Sequence, residues 1–324
     1  MREHKVAPTR IQQITADLAL LFVAFVWGIT FVVVKEALTE IGPYYFLAIR
    51  FTVAFLFLAL ICWRSTLRVN RANLTAGFVI GLALFGGYAF QTVALQHTTA
   101  ANAGFITGLS VVLVPLFVAG LTRTLPAPMA VAGVVCATIG LGLLAVQGDF
   151  TVGYGDFLVF CCAVCFATHI ILVGRYAPCL DPVLLAIVQI GTVAFISSLI
   201  APVFESFPVT LAPPVQIALL ATAIPATALA FLIQNKAQKF TSPTHTAVIF
   251  TMEPVFAGLA AWLWGGETLE IRQWIGGAVI VLGMLITVWK TAETVPCSAA
   301  PLPVTRGSSA VGDKHRLERV LPQK

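Results

Sequence analysis

The chain has 324 residues, of which 59% are hydrophobic and 10% charged, with 19 Lys and Arg against 14 Asp and Glu. Its mean hydropathy is +0.94. Soluble globular domains carry about 25% charged residues, so this chain has too few polar groups to cover a water-facing surface, and a water-soluble fold is excluded.

The apolar residues form ten blocks, at about 16–35, 44–62, 74–94, 102–120, 128–146, 157–174, 182–203, 215–233, 245–264 and 274–290. Each has roughly the length that a bilayer-spanning helix requires. Barrel strands would alternate in hydrophobicity, whereas these blocks are apolar on every face. A helix satisfies its own backbone in lipid. The expected fold class is therefore all-α, a polytopic membrane protein with ten transmembrane helices.

In chain order, the first block carries Trp27 and has no small-residue cleavage site before Lys35, so it is expected to stay in place as a span. The second block carries Arg50, about two turns in. Tyr88 and Gln91 follow in the third and Pro115 in the fourth. "CCAVC" (161–165) and His169 lie in the sixth, Gln189 in the seventh and Pro225 in the eighth. The ninth holds Glu253 and Pro254 side by side in the run "TMEPVFAGLAAWLW". Residues 291–324 are rich in Pro, Ser and charge and are expected to be a disordered tail.

Alternating ten helices from a cytoplasmic N-terminus puts 16 of the 19 Lys and Arg on the cytoplasmic side. Only Lys35 and Arg272 fall outside, and Arg50 lies within a helix. This bias is what the positive-inside rule requires. It places both termini in the cytoplasm of a multi-pass cell-membrane protein. The +5 net charge then follows from topology and points to no nucleic-acid partner.

The sequence also resembles itself. "GPYYFLAIRFTVAFLFLALI" (42–61) aligns with "DPVLLAIVQIGTVAFISSLI" (181–200), matching Pro43 to Pro182 and Arg50 to Gln189. Asp17 and Asp156 share that spacing, and a slightly longer one pairs Gln91 with Gln234, Gly133 with Gly276 and Gly140 with Gly283. An odd number of helices per half inverts the second half, as in many secondary transporters. The expected organisation is a cytoplasmic segment 1–15, a five-helix repeat 16–146, a connecting loop 147–156, a second repeat 157–290 and the cytoplasmic tail 291–324.

Three stretches carry a family resemblance. "MEPVFAGLAAWLWGGETL" (252–269) resembles the Glu-Pro stretch in the second repeat of EamA-type carriers of the drug/metabolite transporter superfamily. "FVWGITFVVVK" (25–35) is similar to the start of that family's first repeat, and "ALQHTTAANAGFITGLSVVLVPL" (94–116) to its junction between third and fourth helices. The resemblance implies two inverted EamA-like repeats around a central cavity. It also implies export of small metabolites, amino acids or toxic organic compounds without ATP. It names no substrate. The first half departs from the motif, with Ser110-Val111 and Arg123-Thr124 where the second has Glu253-Pro254 and Gly266-Glu267.

The candidate substrate or cavity residues are Trp27, Arg50, Tyr88, Gln91, His169, Gln189 and Glu253, with Pro115, Pro225 and Pro254 as helix-bend candidates. A carboxylate at the bilayer centre costs about 3 kcal/mol, so Glu253 is read either as a proton-exchanging group or as a tie between helices. For Arg50 three roles stay open: pairing with Glu253, receiving a substrate carboxylate, or snorkelling to the interface. Trp27 is either packing or an aromatic wall, and His169 either an interhelical donor or a titrating group. Cys161 and Cys165 share a helix face without a His or carboxylate in the same turn, so no metal is expected.

No converging nucleophile, base or nucleotide-binding loop argues for an enzyme, and no cofactor is expected. The expected partners are a small-molecule substrate, the lipid bilayer and protons as coupling ion, and a homo-oligomer stays open. The leading expectation is a secondary exporter working by alternating access. The competing one is a passive channel or receptor-like protein, with a membrane enzyme behind it.

Overall fold

The structure, a computed structural model, describes residues 8–98, 100–123, 125–145, 153–264 and 270–290. The expected disordered tail, most of the connecting loop and the Gly266-Glu267 pair lie outside the described residues. Among the described residues the chain is helical and has no strand.

Six helical stretches are long and apolar enough to cross a membrane. They are α1 (Arg10–Ala37), α2 (Pro43–Ile61), α4 (Arg71–Ala94), α8 (Tyr154–Tyr176), α9 (Pro182–Phe204) and the composite stretch Pro213–Ala237. The composite consists of α10 (Pro213–Ala223), a π-helical turn (Ile224–Leu229) and α11 (Ala230–Ala237). A single turn, α3 (Trp63–Thr66), follows α2. The remaining apolar blocks hold α5 (Ala100–Gly108), α6 (Ser110–Thr122), α7 (Pro128–Ala145), α12 (Pro243–Phe250), α13 (Met252–Trp264) and α14 (Ile271–Lys290).

Local chemistry explains where these helices start. Thr9 and Gln12 form a reciprocal capping box, so α1 begins at Arg10, ahead of the expected residue 16. Pro43 and Pro182 each open a helix, where the missing N–H costs nothing. The Asp181 carboxylate accepts from the Val183 N–H at 2.8 Å and caps α9. The expected fourth and ninth spans are each broken in two, at Leu109 and at Thr251.

The fold is apolar outside as well as inside. Leu18 and Phe22 on α1, Leu56 and Leu60 on α2, and Val131, Val135 and Ile139 on α7 form exposed stripes at helical spacing. Arg50, His169, Gln189, Thr227 and Asn235 are buried. A water-soluble protein would reverse this distribution, because its charged groups are almost never buried unless paired.

Helices from the two sequence halves interleave. α1 packs on α11 and α13, α4 on α8 and α9, α2 on α9, and α7 on α14. The α7–α14 crossing is close enough to need glycine. A Cβ on Gly140 would sit 2.6 Å from the Gly276 carbonyl oxygen, and one on Gly283 would sit 2.8 Å from that of Gly133. Small residues of this kind let helix backbones approach closely in lipid.

Candidate functional site

The polar and aromatic candidates come from six helices, and three of them, Trp27, Tyr88 and His169, meet on one ring. Phe231, on α11 just past the π turn, is 1% exposed. Trp27 of α1 lies 5.4 Å from it, His169 of α8 5.7 Å and Tyr88 of α4 6.2 Å, measured between ring centroids. Tyr88 also stands edge-on to Phe51 and Phe166, and Trp27 packs on Phe250 of α12.

Each polar group then has a particular engagement. The Trp27 Nε1–H donates to the Ala226 carbonyl at 2.7 Å. Pro225 supplies no N–H inside the π turn, and such wide turns expose carbonyls to outside donors. Trp27→Phe keeps an aromatic face but removes the five-membered ring together with this bond. A loss of at least about 1 kcal/mol in unfolding stability is expected, from the bond and from the volume left empty, read as a lower denaturation midpoint of the purified chain.

Arg50 neither snorkels nor pairs with Glu253. It is 4% exposed, its Nε donates to the Thr227 Oγ1 at 2.7 Å, and its guanidinium carbon lies 4.9 Å from the centre of the Tyr88 ring. The Thr227 hydroxyl in turn donates to the Thr222 carbonyl at 2.9 Å. Snorkelling fails because the π turn and Tyr88 give the guanidinium partners inside the bundle. Among the described residues, no carboxylate lies within 4.0 Å of it.

His169 Nε2 meets Gln189 Oε1 at 2.7 Å, and both side chains are buried. The Gln189 Nε2 has no partner among the described residues. Gln91 lies one turn beyond Tyr88 and donates to the Thr107 hydroxyl of α5 at 3.4 Å. That hydroxyl in turn approaches the Cys162 thiol at 3.9 Å.

Glu253 is not mid-helix. The break at Thr251 places it in the first turn of α13, where a helix N-terminus favours negative charge. Its carboxyl lies within electrostatic reach of Tyr88 and Cys162. Gly28 of α1 fits against this turn so closely that a Cβ there would meet the Glu253 carbonyl oxygen at 2.6 Å. Pro254 is the third residue of α13, so its missing N–H falls where no intrahelical acceptor is required. Pro115 lies inside α6 and does not interrupt it; the nearby break comes earlier, at Leu109. Pro225 belongs to the π turn.

Phe231 and Thr227 were missed at the sequence level, as was a tie between the halves. His245 Nε2 of α12 contacts Asp17 Oδ1 of α1 at 3.0 Å, with both side chains buried. Asp156, the residue matched to Asp17 in the sequence, accepts from the Thr98 hydroxyl at 2.6 Å. A separate groove of about 480 Å³ between α6 and α8, lined by Leu116, Leu121, Ile171 and Arg175 among others, contains none of the candidate residues.

Exposed apolar helices around a buried set of polar and aromatic groups define a multi-pass membrane protein. The chain belongs to the EamA-like transporter family, whose model matches residues 14–146 and 153–289. It is 36% identical over 278 residues to an uncharacterized transporter of Archaeoglobus fulgidus, covering 85% of this chain and 86% of the relative. A second uncharacterized transporter of that organism is 27% identical, covering 84% and 97%. The uncharacterized transporter YyaM of Bacillus subtilis is 26% identical, covering 68% and 74%. One solved crystal structure, 23% identical, superposes with a TM-score of 0.72 over 84% of this chain and 98% of its own length. That likeness speaks to the fold alone.

Proposed function

We propose that this chain is a secondary carrier that exports small, partly apolar metabolites or toxic organic compounds across the cell membrane by alternating access, with protons as the coupling ion. Ten spans form two inverted repeats, 16–146 and 157–290, with both termini in the cytoplasm. The observation that carries the reading is the convergence at Phe231. Trp27 and Tyr88 from the first repeat and His169 from the second meet there, next to an α13 that begins at Glu253's own turn. Carriers place substrate sites at such meetings of broken helices and repeats.

The inverted arrangement draws support from the α7–α14 crossing. Under the sequence match of Gly133 to Gly276 and Gly140 to Gly283, the contact of Gly133 with Gly283 becomes that of Gly276 with Gly140. Each contact is the other's image, as a two-fold relation between the halves requires.

A topology assay tests the orientation. A reporter active only in the cytoplasm is expected to give signal when fused after Lys324 or inserted near Arg68. Inserted at Ser206, in the segment between α9 and α10, it is expected to stay dark; signal there sinks the ten-span model. Saturable efflux from vesicles, driven by a pH gradient and absent from protein-free vesicles, tests the carrier function itself.

A further inference from the structure

The central site holds a buried cation with no carboxylate beside it and an amide donor without an acceptor among the described residues. A guanidinium has five N–H groups and stays protonated, and placing one at mid-membrane depth costs about 3 kcal/mol even by insertion scales. Arg50 nevertheless sits at 4% exposure on a spanning helix. The Thr227 hydroxyl receives its Nε and donates onward to the Thr222 carbonyl, and it carries no charge to balance the guanidinium. Tyr88 and Phe51 offer ring faces at 4.9 and 5.6 Å, which attract a cation and leave its charge in place. Gln189, at the matched position of the other half, is fully buried and its Nε2 donor has no acceptor among the described residues. Around these donors the walls are apolar rings: Tyr88, Phe166, Phe231 and Trp27.

We infer that Arg50 is the specificity-determining residue of the central site and that it receives the carboxylate of a small organic acid or amino acid whose apolar body lies against these rings. The inference rests on the carrier reading above for the site's location. A planar carboxylate accepts two parallel N–H bonds from a guanidinium, a geometry that neither a lysine nor a glutamine can reproduce. It also supplies the negative charge that the described side chains do not place next to Arg50. A free monocarboxylate and an amino acid share this chemistry, and the probes below tell them apart.

The test is equilibrium binding to the full chain purified in detergent, read as the shift in thermal denaturation midpoint with four probes: phenylacetate, phenylacetamide, leucine and leucinamide. At least one carboxylate is expected to raise the midpoint, with its amide at least tenfold weaker. Stabilisation by phenylacetate marks a simple organic acid, and stabilisation by leucine alone marks an amino acid. Arg50→Gln is expected to abolish the difference between acid and amide, and Arg50→Lys to keep it with about tenfold weaker binding. If Arg50→Gln does not fold, the acid–amide difference in the native chain and its weakening in Arg50→Lys decide the matter. Equal stabilisation by acid and amide, no stabilisation by any probe, or unweakened binding by Arg50→Lys overturns the inference. pH-driven efflux of a cationic dye in that case leaves the carrier standing. Carboxylate binding without flux of any probe in vesicles keeps the Arg50 assignment and removes the carrier reading.

Discussion

Glu253→Gln is expected to insert and fold normally while losing pH-driven efflux. Glutamine keeps the size and hydrogen-bonding capacity of the carboxyl but carries no exchangeable charge, so it separates titration from packing. A gradient of one pH unit supplies about 1.4 kcal/mol per proton. With one proton moved per substrate, the native chain is therefore expected to sustain about a tenfold concentration ratio, and the variant a ratio near one. Exchange of labelled for unlabelled substrate without a pH gradient is expected to survive. The position suits this role, because α13 begins at Met252 and Glu253 lies in its first turn, beside the break at Thr251. If Glu253 were only a tie between helices, Gln would transport almost like the native chain and Ala would lower the yield of folded protein. Efflux normalised to folded carrier for Gln and Ala discriminates the two. Undiminished pH-driven transport by the Gln variant removes Glu253 as the coupling group.

Two glycines a short step apart on α7 are expected to respond with opposite signs. At Gly140 a Cβ would meet the Gly276 carbonyl oxygen at 2.6 Å and the Ile280 amide nitrogen at 2.8 Å. Both are backbone atoms of α14 and cannot rotate away, so Gly140→Val forces the helices apart. Overpacking of this sort costs about 1–3 kcal/mol. At Gly142 a Cβ would meet nothing within 4 Å. Gly142→Ala removes only backbone freedom and is expected to stabilise by about 0.5–1 kcal/mol. Denaturation midpoints of the two purified variants check the pair. A stable Gly140→Val would mean that α7 and α14 are not held at this distance in the membrane.

Much of this architecture could be read from residue types. Lipid contact demands long apolar runs, so the helical blocks were plain in the sequence. Pro43 and Pro182 marked helix starts because a proline at the first position forfeits no hydrogen bond. The matched glycines were visible as a repeat, but nothing in their spacing said that each would face the other's image across α7 and α14.

The helix breaks were only half legible. Pro254 withdraws the donor that would serve the Phe250 carbonyl, which accounts for the end of α12; the break at Leu109 has no such proline, and nothing in the structure explains it. Arg50's partner could not be read at all. Thr227 is 177 residues away, and it faces α2 because Pro225 widens the intervening turn. Phe231 was one apolar residue in an apolar block. Its place at the centre is a property of packing, which periodicity in a lipid-facing sequence does not encode.

The self-imaged glycine crossing also bears on how the molecule can move. In the proposed two-half arrangement, points on the pseudo-axis travel least when one half rocks against the other, and a crossing whose two contacts are each other's image straddles that axis. On that proposal the α7–α14 crossing acts as a bearing: spin labels replacing nearby exposed Ile139 and Leu282 are expected to keep a single separation throughout the cycle. Labels bracketing the Asp17–His245 tie, between α1 and α12, are expected to sample two.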